Sequence, residues 1–336
     1  MNSDESCKDK YLLEGYPDLE SSTVVLIKEA IKHGIKFEVI DEDHSFIKLY
    51  KENHEEYIAQ ATKTSKDSYI FPSMVTDKEF SKRMLRANDI TVPDGIVLTS
   101  KMTQEEKVSL VSQFINKNVV IKPRTTDCGV GITVFDQPAT EKEILDATNY
   151  AFQFDSQVLV ENYAKGREYR FVVVNGKCIS VVYRRSASVV GDGKKTIREL
   201  MADKDREPWH YILKNPMVID EPLKIFLNNQ NLTLDSIPNS GERIFLRRNS
   251  NCSTGGESVD MTDIMPDSFK LIAEKASEIF GAKICGVDIL IDDLNKPEYS
   301  IVEINDNPGI CINEWPYEGH GEKVGLEILK VLGFIE

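Results

Sequence analysis

Two neighbouring segments near the C-terminus decide the fold: Cys285-Gly-Val-Asp288-Ile-Leu-Ile291 and Ile301-Val-Glu303-Ile-Asn305-Asp-Asn307-Pro-Gly309. Both are rich in Val and Ile and bounded by polar or turn residues, which is typical of β-strands. Because strand side chains alternate between faces, Glu303 and Asn305 project from the same face. Oxygen-bearing side chains on apolar strands are costly to bury unless a hard cation such as Mg²⁺ binds them. Spacing alone leaves a metal site and a solvated sheet edge both open.

A second candidate site follows the strand Val119-Val-Ile-Lys122-Pro123. The loop after this strand contains Gly129 and Gly131, which can adopt backbone angles closed to other residues and can approach a ligand closely. A lysine that leads into such a loop could bind phosphate groups. An ordinary hairpin turn would give the same glycine pattern.

A third charged region surrounds two further strands. Glu161 ends the segment Val158-Leu-Val-Glu161, and Glu168 and Arg170 follow it before a run of valines. Asn175-Gly176 predicts a tight turn, and Cys178 to Tyr183 predicts the return strand. These acids could equally form surface salt bridges with neighbouring arginines, an arrangement of little energetic value.

Composition excludes several classes of protein. The net charge of −14 over 336 residues argues against a nucleic-acid binder. The sequence contains no apolar run of membrane-spanning length, and its N-terminus is too polar and acidic for a signal peptide. Six cysteines without C-x-x-C spacing favour reduced thiols over disulfides or a zinc site. We therefore expect a cytoplasmic protein that binds neither membranes nor nucleic acids.

Together these motifs resemble the ATP-grasp superfamily of carboxylate–amine ligases. The similarity is carried, in chain order, by Lys82, Lys122-Pro123, Gly129 and Gly131, Glu161, Glu168, Asp288, and Glu303-Ile-Asn305. The stretches Tyr169 to Lys177, Arg184-Arg185, Val189 to Lys194 and Phe245 to Gly256 are similar to cyanophycin synthetase and to the ligase half of bifunctional glutathione synthetase. Ser22 to Ala30 and Gln60 to Tyr69 resemble the bifunctional glutathione enzyme in particular, so the similarity runs from about Gly15 to the end.

The resemblance implies an α+β ATP-grasp fold, in which a small N-terminal α/β lobe precedes two α+β lobes that grip ATP. We expect lobe boundaries at 1–75, 76–165 and 166–336. A helix capped by Ser21-Ser22 should open the first lobe. The polar segment from Asp203 to Asn239 is expected to be an excursion over the surface, and the stretch from Ile310 to Tyr317 is expected to line the substrate pocket.

The resemblance also implies ATP and two Mg²⁺ (or Mn²⁺) ions as cofactors. Asp288, Glu303 and Asn305 would hold the metal ions. Nucleotide binding would fall to Lys82, Lys122, Gly129, Gly131, Glu161 and Glu168. Arg248, together with Lys122, would be catalytic. Substrate carboxylates would be held by Arg170, Arg185, Asn251, Ser253 and Asn307. Arg184-Arg185 and Arg247-Arg248 are adjacent on strands, so only one arginine of each pair should face the site.

The implied reaction is ATP-dependent amide-bond formation through an acylphosphate. The glutathione-type reaction, which joins γ-glutamylcysteine to glycine, is the first hypothesis. A ligase of the same mechanism for other amino acids or peptides is the second, and a non-catalytic nucleotide-binding module is the third. The sequence begins about where the bifunctional enzyme passes into its ATP-grasp half, so we expect either that another protein supplies the dipeptide or that the enzyme acts on a different acceptor. The expected partners are small amino-acid or dipeptide substrates and a second copy of the chain in a homodimer.

Overall fold

The computed structural model describes residues 10–127, 129–212 and 216–336, and within them the strands form four antiparallel sheets. The helices are α1 Ser21–Lys32, α2 Phe71–Thr76, α3 Lys78–Arg86, α4 Gln104–Val111, α5 Glu141–Ala151, α6 Ile197–Lys204, α7 Glu221–Asn228, α8 Asp267–Phe280, α9 Cys311–Glu314 and α10 Val324–Val331. Short 3₁₀ turns occupy Ser112–Phe114, Pro208–Ile212 and Cys252–Thr254.

The N-terminal lobe is a three-stranded sheet covered by α1. Its strands, in the order β1-β2-β3, are β1 Lys36–Asp41, β2 Phe46–Lys51 and β3 His54–Ala59. The apolar face of α1 packs with α10, from the other end of the chain, in one core that also includes Val172 and Ile284. The first lobe therefore shares its core with the C-terminal segment.

The start of α1 differs from the prediction in one respect. The helix begins at Ser21, but Glu20 is the cap, because its carboxylate accepts the backbone N–H of Thr23 at 2.9 Å. The hydroxyls of Ser21 and Ser22 are consequently used elsewhere. Ser21 donates to the carbonyl of Ile212 at 2.9 Å, and Ser22 accepts the N–H of Cys311 at 3.4 Å.

The second sheet carries Lys122 and Glu161. It has the order β4-β7-β5-β6 and packs on α4 and α5 around Val119, Ile121 and Val160. Both helices open with a Thr-x-x-Glu capping box, which satisfies two N-terminal N–H groups reciprocally. Its strands are β4 Gly95–Thr99, β5 Lys117–Pro123, β6 Thr133–Ala139 and β7 Gln157–Asn162.

The third sheet is the largest and aligns the charged residues of the site. Its register sets Arg170 opposite Asp288 and Asp288 opposite Glu303, so the three residues form one row across three neighbouring strands. Helix α8 covers the other side through Phe269, Ala273 and Phe280. The strand order is β12-β9-β8-β13-β14, with β8 Arg167–Val174, β9 Lys177–Arg185, β12 Glu257–Asp260, β13 Ile284–Ile291 and β14 Ser300–Asn305.

Two features bear on the expected lobe boundaries. Phe71, Val75 and Leu85 of α2 and α3 pack into the core of the large sheet, so the chain on both sides of residue 75 belongs to one packing unit. The segment after β9 has its own small core, built from α6, α7 and the two-stranded sheet of β10 (Ser188–Val190) and β11 (Arg243–Phe245). The segment is therefore a folded subdomain with a core of its own.

Candidate active site

A cavity of about 1120 Å³ lies between the four-stranded sheet and the five-stranded sheet. Lysine, arginine and carboxylate side chains from both sheets line it, together with the apolar side chains of α7. The charged lining residues are Lys78, Lys122, Asp136, Glu161, Arg167, Glu168, Arg184, Arg247, Arg248, Asp288 and Glu303. Most of the residues expected to bind nucleotide and metal therefore meet in one place.

Asp288 is the most deeply buried acid of this cavity. Arg170 binds both of its carboxylate oxygens, with Nη2 at 2.7 Å from Oδ2, and Arg184 lies 3.3 Å from Oδ2. Asn305 donates its amide nitrogen to the same Oδ2 at 3.2 Å. Burial alone would raise the pKa of Asp288, but Arg170 and Arg184 outweigh it and lower the pKa, so the residue is ionised at neutral pH.

The negative charge of Glu303 is paired much less closely with cations than that of Asp288. The nearest cation is Lys78, whose Nζ lies 3.9 Å from Oε1. Burial and the neighbouring charge of Asp288 raise the pKa of Glu303 above its usual range. A carboxylate whose pKa is raised by a neighbouring negative charge is stabilised in its ionised form by an added cation, so Glu303 is suited to bind a cation.

Behind the cavity wall, two lysines share one buried glutamate. Glu161 accepts from Lys82 and from Lys122, the latter at 3.0 Å. Burial would raise the pKa of Glu161, but the two ammonium groups together lower it. Lys122 and Glu161 line the cavity, whereas Lys82, only 2% exposed, lies behind Glu161. The structure thus places Lys82 as a support for Glu161 and Lys122.

Lys78 lines the cavity, and sequence reasoning missed it. It lies four residues before Lys82 on α3, so the two share a helix face. Its ammonium donates to the carbonyl of Thr126 at the start of the glycine loop. Burial lowers the pKa of Lys78. The i, i+4 spacing of the two lysines was the signal that could have pointed to it.

Glu168 lines the cavity within a network on the large sheet. It accepts from Arg184 Nη1 at 2.5 Å and from Ser250 Oγ at 2.7 Å. Arg184 also donates Nη2 to Asn251 Oδ1 at 3.0 Å, which ties the 249–256 loop to the sheet. The predicted residues Glu168 and Asn251 are therefore brought together by Arg184, which the sequence left as one of two alternatives.

Each arginine pair is split between two environments. Arg184 faces the cavity, while Arg185 lies on the opposite face of β9, where it pairs with Glu257 and with Glu318 at 2.6 Å. The structure therefore does not bring Arg185 to the predicted substrate site. Arg247 and Arg248 both border the cavity. Arg247 is tied to Asp220 at 3.0 Å, whereas Arg248 is half-exposed and pairs with Asp136 of β6 at 2.7 Å.

The glycine loop packs against its own sheet and approaches the 249–256 loop. Gly129 and Gly131 have φ angles of +79° and +75°, in the left-handed region that favours glycine. A Cβ at Gly131 would meet Pro123 and Phe154 at 2.6 and 2.8 Å, and one at Gly129 would lie 3.5 Å from Asn251 Nδ2. Cys128, immediately before Gly129, lies outside the described residues.

The remaining predictions concern Asn307, Ser253 and the stretch from Ile310 to Tyr317. Asn307 contacts Gln60 and Thr62. The side chain of Ser253 lies outside what the structure describes. The aromatic side chains of the Ile310 to Tyr317 stretch pack away from the cavity: Trp315 contacts Tyr11 edge-on, and Tyr317 contacts Trp209.

The oxygen atoms of Asp288, Glu303 and Asn305 suit a hard cation that also binds oxygens of a ligand. Across residues 10–127, 129–212 and 216–336, three or more His, Cys, Asp or Glu side chains nowhere gather into a metal-binding group. Asp288, Glu303 and the amide oxygen of Asn305 offer oxygen ligands only, and too few to complete an octahedral shell. A Mg²⁺ or Mn²⁺ ion here would therefore need further oxygens, which phosphate groups can provide.

Two further observations concern the protein as a whole. In the described part of the chain, every helix is too short or too polar to cross a bilayer. The four cysteines that the structure describes, Cys178, Cys252, Cys285 and Cys311, are free thiols. Burial raises the pKa of Cys178 and Cys285 to about 12, so these two are inert packing residues.

Comparison with known proteins defines the class. The family model of the ATP-grasp-like domain matches residues 17–70, and that of the D-ala D-ala ligase C-terminus matches residues 84–192. The fold is an ATP-grasp fold, and the chain is similar to the ATP-grasp superfamily in these two ranges.

Within that superfamily, the chain is similar to proteins of glutathione biosynthesis. The glutathione biosynthesis bifunctional protein GshAB of Listeria monocytogenes is 40% identical over 328 residues, which cover 96% of this chain and 42% of that protein. The Clostridium perfringens protein of the same name is 40% identical over 331 residues, with the same coverage. The crystal structure of a bifunctional glutathione synthetase from Pasteurella multocida superposes with a TM-score of 0.75 at 35% identity, covering 98% of this chain and 45% of that one. The chain thus spans less than half the length of these relatives.

Proposed function

We propose that this chain is an ATP-dependent ligase that joins a carboxylate to an amine and releases ADP and phosphate. The observation that carries the proposal is the row of Asp288 and Glu303, which faces Lys78 and Lys122 across one cavity. Paired acids beside lysines suit the transfer of a phosphoryl group held by divalent cations.

The chemistry follows from the poor reactivity of a carboxylate. Its carbon is a weak electrophile because the leaving group would be oxide. One carboxylate oxygen of the substrate attacks the γ-phosphorus of ATP, ADP leaves, and an acylphosphate forms. The amine nitrogen then attacks the acyl carbon, phosphate leaves, and the nitrogen loses a proton to complete the amide. The protein contributes mainly positioning and charge neutralisation.

The lysines of the cavity serve the phosphate groups. Lys78 and Lys122 reach the cavity from α3 and β5, so they approach the phosphates from two elements. Glu161 fixes Lys122, and Lys82 fixes Glu161 from behind. The Gly129 and Gly131 loop closes over the nucleotide as a lid.

Asp288, Glu303 and Asn305 would hold two Mg²⁺ (or Mn²⁺) ions. When bound, these ions supply positive charge that neutralises the phosphate oxygens during transfer. The fit rests on the raised pKa of Glu303, which burial and Asp288 cause. Arg170 and Arg184 keep Asp288 ionised for this role.

Arg248 would stabilise the acylphosphate and the oxyanion formed when the amine attacks. Its present partner, Asp136, is half-exposed, as is Arg248 itself. Exposed ion pairs contribute about 0–1 kcal/mol, so Arg248 can exchange Asp136 for a substrate at little cost.

The substrates we propose are γ-glutamylcysteine and glycine. The relatives with 40% identity are proteins of glutathione biosynthesis, and the similarity extends over 96% of this chain. The arginines at 167, 184, 247 and 248 line the cavity and suit a substrate with more than one carboxylate.

The test is ADP release with a panel of amino acids and dipeptides, followed by mass spectrometry of the product. We expect release to require both γ-glutamylcysteine and glycine, with a product one condensation heavier. The match of residues 84–192 to the D-ala D-ala ligase model makes ligation of another amino-acid pair the second candidate. Turnover with another pair alone would select that candidate. A chain that hydrolyses or transfers nothing with any pair would be a non-catalytic nucleotide-binding module.

The proposal includes a homodimer in the cytoplasm. The free thiols of the described cysteines support a reducing compartment. Light scattering would test the dimer, since the single chain has a mass of 38.0 kDa.

A further inference from the structure

Asp77 lies where α3 begins, and its carboxylate makes two kinds of contact. Its Oδ1 accepts the backbone N–H of Phe80 at 3.0 Å, so Asp77 caps the helix. The same carboxylate binds the guanidinium of Arg124, which lies 47 residues further along the chain, with Nε at 2.7 Å from Oδ1 and Nη2 at 2.5 Å from Oδ2. Burial would raise the pKa of Asp77, but Arg124 and the N–H of Phe80 lower it, so the carboxylate is charged at neutral pH. A paired contact of this kind fixes the relative orientation of the two groups.

Arg124 is itself anchored to the four-stranded sheet. It follows Pro123, the last residue of β5, and its backbone N–H donates to the carbonyl of Gln157 at 3.0 Å. Its Nη1 donates to Gln157 Oε1 at 2.6 Å. The next residue, Thr125, bonds Asp155 through its N–H at 2.9 Å and through its hydroxyl at 2.8 Å. Arg124 is therefore tied to β7 by its backbone and by its side chain.

The two partners belong to the two sheets that enclose the cavity. Helix α3 packs into the core of the large sheet through Leu85, whereas Arg124 belongs to the four-stranded sheet. The backbone N–H of Lys78 also donates to the carbonyl of Arg124, at 3.2 Å, which satisfies one of the free N–H groups at the helix start. We call the ion pair of Asp77 and Arg124, together with this backbone bond, the Asp77–Arg124 clamp.

Each half of the clamp adjoins one lysine of the cavity. Lys78 follows Asp77 directly, and Lys122 lies two residues before Arg124. Both lysines line the cavity, but they come from different sheets. One turn further along α3, Lys82 also contacts the four-stranded sheet, but it does not hold the first turn of the helix. Because a cap fixes where a helix starts, the clamp sets the distance between the backbones of Lys78 and Lys122.

We propose that Asp77 and Arg124 are positioning residues, which hold Lys78 and Lys122 at the spacing needed to bind neighbouring phosphate groups of the nucleotide. The inference rests on the proposed ligase function, in which both lysines serve the phosphates. Asp77 and Arg124 lie outside the cavity lining, so they act through the lysines. A lysine is a point charge on a flexible chain, and its placement in the site therefore depends on how firmly its backbone is held.

The kinetic test begins with Asp77→Asn, which keeps an oxygen for Phe80 and removes the charge that Arg124 binds. We expect kcat/KM for ATP to fall about fivefold, because the two lysines are no longer held at one spacing. The melting temperature should stay within about 3 °C of wild type, since a partly exposed ion pair contributes little to stability. Arg124→Lys keeps the charge without the paired N–H groups and should lose less activity than Arg124→Met. Asp203→Asn, which also removes the carboxylate of an ion pair but lies outside the cavity lining, should leave kcat/KM at the wild-type value.

A double variant shows whether the clamp acts through Lys78. Lys78→Met alone removes one of the two ammonium groups whose spacing the clamp sets. Adding Asp77→Asn to Lys78→Met should then lower kcat/KM for ATP by less than about twofold further, whereas a general loss of structure would lower it by the same factor in both backgrounds. An unchanged kcat/KM in Asp77→Asn, or the full loss in both backgrounds, would overturn the proposal.

ADP binding separates this inference from the proposed function, because it needs no turnover. Titration calorimetry with ADP and Mg²⁺ should show an affinity about fivefold weaker in Asp77→Asn than in wild type, and an unchanged affinity in Asp203→Asn. If wild type binds ADP but no substrate pair supports turnover, the proposed function fails and ADP binding alone decides whether the clamp positions the lysines. Wild-type ADP affinity in Asp77→Asn would rule the clamp out.

Discussion

Two clusters of charged residues meet at the large sheet, and they differ in how closely their acids are paired. In the cavity cluster, Arg170 and Arg184 pair with Asp288 and Glu168, whereas the nearest cation to Glu303 is Lys78 at 3.9 Å. The closed cluster, which is centred on the fully buried Glu257, sets Arg185, Lys204 and Arg243 against Glu257 and the exposed Glu318. The first cluster lines the cavity, whereas the residues of the second do not.

The two clusters respond differently to their local charge. Burial, together with Arg185 and Arg243, lowers the pKa of Lys204 to about 8, so the closed cluster is relieved when a lysine loses its proton. The cavity cluster instead raises the pKa of Glu303 and is relieved by binding a cation. Neighbouring residues of one strand, Arg184 and Arg185, thus belong to different clusters, the first to the cavity cluster and the second to the closed cluster. We expect mutations in the two clusters to separate activity from stability.

The largest effect is expected in the closed cluster. Glu257→Gln should lower the free energy of unfolding by about 3–5 kcal/mol, because Glu257 is fully buried and its loss leaves Lys204 and Arg185 without their shared partner. Urea denaturation would measure the change. At a temperature where the variant is folded, kcat should stay within about threefold of wild type. A stable variant without activity would contradict the assignment of this cluster to stability.

In the cavity cluster, Glu303→Gln should lower activity and leave stability intact. We expect a loss of about 100-fold in ATP-dependent ligation, or roughly 2.7 kcal/mol of barrier, since the charge that would bind the cation is gone. Without nucleotide and metal the variant should be at least as stable as wild type at neutral pH, because the charged form of Glu303 is disfavoured there. Activity above about a tenth of wild type would exclude Glu303 as a metal ligand.

The sequence predicted this contrast only in part. Val- and Ile-rich runs predicted β13 and β14. Strand alternation predicted that one arginine of each pair would face the site, which holds for Arg184-Arg185 but not for Arg247-Arg248, which follow β11 and both line the cavity. The sequence could not say which arginine of the first pair faces the site, because that depends on how β9 pairs with β8 and with the distant β12. The clearest success was the set of acids on β13 and β14, which the register brings together directly.

Where a residue's surroundings depend on long-range contacts, the sequence did not predict them. Lys82 and Lys78 share a helix face, and only the packing of α3 on the large sheet puts Lys78 at the cavity and Lys82 behind Glu161. Segment 203–239 was predicted to be a surface excursion because it is polar. In the structure, its apolar residues contribute to a separate core, and α7 lines the cavity through Pro222, Ile225 and Phe226.

A smaller effect should separate the two lysines of α3. Lys78→Met should lower kcat/KM for ATP about tenfold, or roughly 1.4 kcal/mol, because a phosphate ligand is lost. Its melting temperature should change little, since the carboxylate nearest to it, that of Glu303, is 3.9 Å away. Lys82→Met should show the reverse, a lower melting temperature with a smaller change in kcat/KM, because Glu161 loses a buried partner. Equal kinetic losses in both variants would show that Lys82 also contacts the nucleotide.

The smallest effect concerns Glu314, a partly buried acid outside both clusters. Burial raises the pKa of Glu314 to about 7, although the N–H of Gly325 donates to its Oε2 at 2.9 Å; Glu29 also raises this pKa, while Lys32 and Lys323 oppose the shift. Because this pKa is higher in the folded state than the ordinary value of 4.5, the folded state binds more protons between pH 4.5 and 7, and stability falls as pH rises through that window.

Glu314→Gln keeps an oxygen for Gly325 without the charge. It should therefore melt higher than wild type at pH 8, by about 2 °C for roughly 1 kcal/mol, and close to wild type at pH 5. Replacing the exposed Glu221 in the same way is the control. If the difference between Glu314→Gln and wild type is the same at pH 5 and pH 8, the carboxyl of Glu314 does not titrate in this window.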